Sequence, residues 1–529
     1  VLEKITQKAW RPIPDRRRSG QEESGLVGSQ PLLRSCQVNI ETELNLSLAP
    51  ELAVQLLKHP LLTESKPVCQ RVVHTYYDTP DQRLRRERVI AGYRKDGSAW
   101  VPSVGRLGLP DARPGVNGEK KNAGAPGDHD FSQVADGSLR PLLESVRDDL
   151  KPAFTTRFTR RAWTLEPRDG VRIDLALDRG WIEAAGRRQA ICEVGLELRS
   201  GGVADLFSVA GELQTELQLH PEVASKFQRG YHVLADESWH PVKALPIATD
   251  GGMTTIAAFR TVALACLHHL QSNEQGLREN DNPEFVHQAR VAIRRLRSAI
   301  RVWKPRLPQD FVARFDPQWQ ALARQLGEAR NWDVFTGETL PSVLAAFPES
   351  GVAARLSHYA AARCVSSREA ARALLKSVDY SRLLLEFTAA VLALPEGRAH
   401  RLEAFAPRRL EKRAQQVRQL AEEALSGDAA SRHRLRVAYK RLRYALEFFA
   451  PLFPGAALRD YHVAASGLQE MLGELNDLAV AMDLTAEALP DEHGEAIRCW
   501  LEGQSERRLP ELGALVGAFR EQAAPWRTP

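Results

Sequence analysis

One offset of 146 residues runs through the second half of this chain. The segment VHQARVAIRRLRSAI (286–300) matches RHRLRVAYKRLRYAL (432–446), and LGEARNWDV (326–334) matches LGELNDLAV (472–480). His287 and His433 lie 146 positions apart, and so do Leu326 and Leu472. Two separate motifs with a single offset are the mark of an internal duplication, with copies at about 286–334 and 432–480. The pattern predicts two bundle halves related by a pseudo-twofold axis, each offering one basic helix.

Long amphipathic segments rich in Ala, Leu, Arg and Glu surround both copies, and strand patterns are almost absent. Residues 254–529 therefore read as an all-helical bundle. Positions i, i+3, i+4 and i+7 share one face of a helix. His287, Arg290, Arg294, Arg297 and Arg301 form such a stripe, with Arg295 adding to the charge. His433, Arg436, Lys440 and Arg443 form the second, with Arg441 beside it. Ile293, Leu296 and Ile300 point toward the core. Like charges at i, i+4 destabilise a helix by a few tenths of a kcal/mol per pair. Basic residues in helices are ordinarily solvated or paired with acids, and Glu328 and Glu474 of the repeated LGE are candidates for that pairing. Two stripes in duplicated register, each opened by a histidine near a helix N-terminus, point instead to an anionic ligand.

Residues 1–35 are polar and aperiodic and read as a disordered tail. From 36 to 238 the period changes to two. CQVNIETELNLSL, RVVHTYYDTP, FTTRFTRRAWTL and GVRIDLALDRG are strand candidates bounded by turn residues, predicting a mostly antiparallel β domain. WHPVKALPIATDGGM (239–253) reads as a linker. The fold class is α+β. No run of about 18 uncharged apolar residues is present, so no transmembrane helix is expected. The first residues lack the apolar core of a secretory signal. Six scattered cysteines without a CxxC pair read as free thiols in a reducing cytoplasm. A net charge of +5 is too small to imply a polyanion partner; its distribution matters more.

Alternation places Glu41 and Glu43 on one strand face, and Glu193 and Glu197 on another. Hard divalent cations take carboxylate oxygens, so such pairs suit a metal site. A solvent-facing strand gives the same spacing.

The basic repeats, with LGEARNWDV and LQEMLGELNDLAVA, resemble the CHAD domain. That resemblance implies a duplicated helical bundle whose His/Arg surface binds inorganic polyphosphate, through His287, Arg290, Arg294, Arg295, Arg297, Arg301, His433, Arg436, Lys440, Arg441 and Arg443. Residues 36–238 resemble the CYTH domain in IETELNL, YYDTPDQRLRRERV, LALDRG and SKFQRGYHVL. This implies a β tunnel or barrel of the inorganic triphosphatase kind. Arg94, Arg157, Lys226 and Arg229 would hold triphosphate. Glu41, Glu43, Glu193 and Glu197 would hold Mg²⁺ or Mn²⁺, with Glu41 and Glu43 serving catalysis. The setting implied is cytoplasmic, including polyphosphate granules, with no membrane partner.

The chain departs from the CYTH pattern where charge is needed. Asn45 stands for the lysine of ExExK, Gly92 for an arginine, Gly105 for a lysine and Gly195 for a glutamate. Three cations and one metal ligand are missing. Charged hydrogen bonds to phosphate contribute roughly 1.5–3 kcal/mol each, so these losses predict a weak or inactive tunnel. Arg88, Lys95, Arg106, Arg157 and Arg161 are the nearby bases that would have to compensate. Two other readings stay open: an active metal-dependent triphosphatase, and a nucleic-acid binder. The latter lacks a helix-turn-helix or zinc signature and the interleaved aromatics of a stacking platform.

Overall fold

The computed structural model describes residues 42–527 with short interruptions, the longest at 107–126. The chain forms two compact units that divide after Asp236. Glu41 lies outside the described residues.

The first unit carries eight strands among the described residues: β1 (Thr42–Leu48), β2 (Val68–Asp78), β3 (Val89–Asp96), β4 (Ala99–Arg106), β5 (Lys151–Leu165), β6 (Arg172–Ala184), β7 (Arg187–Ser200) and β8 (Leu219–Pro221). They form one sheet in the order β4-β3-β2-β5-β6-β7-β1-β8, antiparallel throughout. Helices α1 (Leu139–Val146), α2 (Val203–Glu216) and α3 (Lys226–Ala235) accompany it. Strict alternation sorts the two faces of the sheet. In β1, Leu44, Leu46 and Leu48 are buried on one face, while Glu43, Asn45 and Ser47 are half-buried on the other. The second face is covered in part by α3, whose Phe227 and Tyr231 pack against Tyr76, Phe154, Phe158 and Ile182. A capping box of Ser225 and Gln228 starts α3, and the Tyr231 hydroxyl donates to Asp78 Oδ2 at 2.6 Å. The Tyr231 bond thereby ties the middle of the helix to the end of β2.

The second unit is helical: α4 (Thr255–Glu279), α5 (Pro283–Trp303), α6 (Gln309–Val334), α7 (Leu340–Ala346), α8 (Gly351–Leu375), α9 (Val378–Ala393), α10 (Leu402–Ser426), α11 (Ala429–Phe449), α12 (Ala456–Ala488) and α13 (Glu492–Glu521). The basic repeats fall on α5 and α11, whose first residues and last residues are both 146 positions apart (429 less 283, 449 less 303). The aromatic core repeats as well. Phe259 and Trp303 have ring centroids 6.0 Å apart, and their offset mates Phe405 and Phe449 are 6.3 Å apart. The two pairs meet through Trp303 and Phe449 at 5.1 Å. Ile293, Leu296 and Ile300 are fully buried, as the apolar spacing on α5 requires. Residues read as a linker lie against this unit: the Val242 amide donates to Asn273 Oδ1 at 2.9 Å, and the Thr249 hydroxyl to the Phe448 carbonyl at 2.9 Å.

Trp303 ties both halves and donates its indole N–H to the Thr255 carbonyl at 2.8 Å. Replacing it with alanine should cost about 3–5 kcal/mol, read as a lowered urea midpoint for the helical unit.

Candidate functional site

Two sites follow from the register and the helix faces. In the first unit, the strand ladder builds three cross-strand rungs on the face toward α3. Ser47, Glu193, Asp178 and Arg160 form one rung, Asn45, Gly195, Ala176 and Ala162 the next, and Glu43, Glu197, Asp174 and Thr164 the third. The upper rung is charged and internally neutralised. Arg160 grips Asp178 with two bonds of 2.8 Å. Lys226 of α3 reaches Asp178 at 2.9 Å and Glu193 at 3.0 Å, and Arg229 reaches Glu193 at 2.7 Å. The lower rung is closed by Arg199, 2.6 Å from Asp174 and 2.8 Å from Glu197. The middle rung holds no charge. Asn45 donates to Glu43 Oε1 at 3.3 Å, and its Oδ1 lies over Gly195, 3.3 Å from where a Cβ would stand.

The β3 and β4 positions where the resemblance implies cations fall on this face. Register places Gly92, Arg94 and Gly105 on it, with Arg94 opposite His74. A side chain at Gly92 would put its Cβ 2.6 Å from the Thr75 carbonyl and 2.9 Å from His74 Nε2. His74, stacked on Tyr76 at 3.9 Å, fills that space. Burial, then the Arg94 charge, pushes its pKa down to about 3.

Arg157, expected to hold triphosphate, sits on the opposite face of β5, where it pairs with Glu183 at 3.0 Å. Strand alternation is the reason: Arg160 shares the face with Asp178, and Arg157 and Arg161 cannot. Lys95 and Arg106 likewise occupy the far side of β3 and β4 by register. Sequence reasoning missed Arg160 and Asp178, although Asp178 stands in the LALDRG stretch it singled out.

These acids do not fit a divalent cation as they stand. Mg²⁺ and Mn²⁺ need open carboxylate oxygens, whereas Glu193, Glu197 and Asp178 are bound by the chain's own bases. Among the described residues no three of His, Cys, Asp and Glu converge on a common metal position.

In the second unit, α5 and α11 bring their basic faces together. Arg290 and Arg294 of α5 stand near Arg436 and Lys440 of α11, and Arg330 of α6 closes on His287 and Arg290. The contacts exchange under the 146-residue offset: Arg294 with Arg436 mirrors Lys440 with Arg290. That reciprocity is what a twofold relation produces. Gly327 leaves room for the Arg290 guanidinium, which a Cβ there would displace. In the other half, Asn476 replaces Arg330 at the mate position. Its Oδ1 accepts from Arg436 Nη1 at 2.9 Å and lies 3.2 Å from His433 Nδ1.

The cluster is strongly cationic. Asp477, 3.9 Å from Arg436, and Glu284, beside His287, are acids that oppose it. Burial, reinforced by the neighbouring arginines, depresses every shifted base here: Arg290 to about 10, Lys440 to about 6 and His287 to about 4. The Nε atoms of Arg294 and Arg436 are buried without a hydrogen-bond partner among the described residues.

Not every expected base belongs to it. Arg295 is only 1% exposed and forms an ion pair with Glu447 in the core, because it falls on the apolar side of α5. Arg297 and Arg301 share Asp316 of α6, at 3.0 and 3.4 Å. Arg441 joins them in a second basic group with Arg409 and Arg413 of α10, where burial and the like charges lower Arg413 to about 10. Arg443 stacks on Tyr444, its guanidinium carbon 4.5 Å from the ring centroid. Glu328 and Glu474 pair elsewhere, with Arg363 and Arg508, both at 2.7 Å. Arg330 and Asn476 escaped the reading of the basic helices, yet both occupy the same position of the second repeated motif. Arg409 and Arg413 carry no repeat signal.

Comparison with known proteins followed the same division. A family model described as the CYTH domain matches residues 39–231, and one described as the CHAD domain matches 261–486. An inorganic triphosphatase of Haemophilus influenzae is 30% identical over 206 residues, which covers 36% of this chain and 54% of that protein's length. Among solved structures, the CHAD domain from the plant Ricinus communis aligns with a TM-score of 0.49 at 32% identity, covering 54% of this chain and 98% of that one. PptA from Streptomyces chartreusis aligns with a TM-score of 0.39 at 15% identity, covering 52% of this chain and all of that one.

Burial acts to raise the Asp178 carboxyl, but the bonds from Arg160 and Lys226 outweigh it and hold it below the ordinary carboxylate range. Its stabilisation is therefore full above about pH 4 and lost as pH falls through the lower folded value. Asp178→Asn should cost about 2 kcal/mol at pH 7 and progressively less below pH 4, measured by urea unfolding of the first unit at both pH values.

Proposed function

From the premise that this chain is a CYTH domain followed by a CHAD domain, we propose that its helical unit binds inorganic polyphosphate at the junction of α5 and α11. The observation that carries this reading is the cluster of Arg290, Arg294, Arg436 and Lys440, which come from two helices and meet Asp477 as an opposing acid among the described residues. Bringing these charges together costs free energy that packing alone must offset. A chain of phosphates would remove the repulsion, and arginine forks would bond its oxygens bidentately. The group of Arg301 of α5, Arg441 of α11 and Arg409 and Arg413 of α10 adds a second set of basic residues.

The first unit is read as a tunnel domain that has lost its catalytic charge. Asn45, Gly92, Gly105 and Gly195 all lie on the face where cations and a metal ligand would be needed. The likeness to an inorganic triphosphatase favours the alternative, metal-dependent hydrolysis of triphosphate. Phosphate release from triphosphate with Mg²⁺ or Mn²⁺, compared with EDTA and with Glu43→Ala, separates the two. The expected result is no metal-dependent release.

The binding reading is tested by replacing Arg290, Arg294, Arg436 and Lys440 with alanine together. At roughly 1.5–3 kcal/mol per charged contact, affinity for long-chain polyphosphate should fall by more than about a thousandfold while far-ultraviolet circular dichroism stays unchanged. Unaltered binding by this variant would reject the site. DNA offered as competitor should displace polyphosphate poorly; efficient displacement would favour a nucleic-acid partner.

A further inference from the structure

The offset pairs Arg294 of one half with Lys440 of the other. Arginine keeps its charge at any cellular pH, while a buried lysine can give its proton up. Lys440 is half-buried, and no described residue gives it a hydrogen bond or ion pair. The charged groups around it are Arg290 and Arg294 from α5, Arg436 from its own helix and Asp477 from α12. His287 and Arg330 lie next to Arg290 at the edge of the same group. Resting on the polyphosphate reading of this site, we infer that occupation of the cluster by the anion is coupled to uptake of a proton by Lys440.

The electrostatics support this direction. Burial first, then the three arginines, push the Lys440 ammonium down to about 6, so the free protein holds it largely neutral at neutral pH. Phosphate oxygens among the same groups cancel the arginine charge and favour the ammonium. The bound value is then raised above the free one. Uptake occurs between the two. Below about pH 6 the lysine is charged in both states and affinity is at its greatest. As pH rises through the window affinity declines, by up to about tenfold per pH unit for one proton. Above the bound value the lysine is neutral in both states and the coupling ends. His287, pushed down to about 4 by burial and by Arg330, starts neutral across this window. Any proton it gains adds to that of Lys440 and is separated by His287→Gln.

The test is calorimetric titration of the full chain with long-chain polyphosphate at pH 7.5, in two buffers of different ionisation enthalpy at one ionic strength. Long chains are used because their interior phosphates are fully ionised, so the ligand itself exchanges almost no proton. The expected result is net uptake of between about half and one proton per site by the wild type. Lys440→Arg should still bind and lose most of that uptake, and its affinity should fall less between pH 6 and 8. Wild type that binds without proton uptake, or Lys440→Arg with undiminished uptake, overturns the inference and leaves polyphosphate binding standing. Wild type that fails to bind overturns both.

Discussion

The bundle is organised around a repulsion. α5 and α11 cross with arginine facing arginine, and the fold persists because the opposite sides of the same helices are sewn into a continuous aromatic and aliphatic core. Trp303, Phe449, Phe259 and Phe405 supply that core at the point where the halves meet. Each large buried side chain contributes a few kcal/mol, and together they offset the cost of holding half-buried like charges side by side. The balance lets a cationic surface be held in fixed geometry without its counter-ion. Such a surface is preorganised: a phosphate ligand would find its donors in place and would not have to order them.

The two units handle charge in opposite ways. In the strand unit, bases and acids of the same face satisfy one another, through Arg160, Asp178, Lys226, Glu193 and Arg229. In the helical unit several paired acids lie away from the cluster, Asp316 with Arg297 and Arg301 and the half-buried Glu447 with Arg295, while Asp477 opposes Arg436. A surface that has neutralised itself offers little to an outside ion. One that has not retains its field, which also speeds the approach of an anion at low salt.

Much of this was readable in the sequence. The 146-residue offset located both basic helices, and period-two alternation located the strands. Which bases work together was less accessible. Arg295 and Arg294 are adjacent in the chain, yet a turn of about 100° per residue sends one to the core and the other to the cluster. Arg157 and Arg160 differ by an odd number of positions and so lie on opposite faces of β5. Such assignments depend on which helix or strand is packed alongside, which a one-dimensional pattern does not contain. Arg330, Arg409 and Arg413 come from neighbouring helices and entered the picture only through tertiary packing. Lys440 was recognised as basic, but its depressed pKa is a product of burial among arginines and has no signature in composition.

Gly92 has a consequence for what the strand unit can be turned into. His74 occupies the volume that a side chain at position 92 would need, and the Thr75 carbonyl stands against the glycine. Placing a long side chain at position 92 is not a single step, because the backbone and a buried ring stand where its first carbon would go. A cation at this position is therefore gained only by coordinated changes, in which His74 gives way and the backbone shifts together with the substitution.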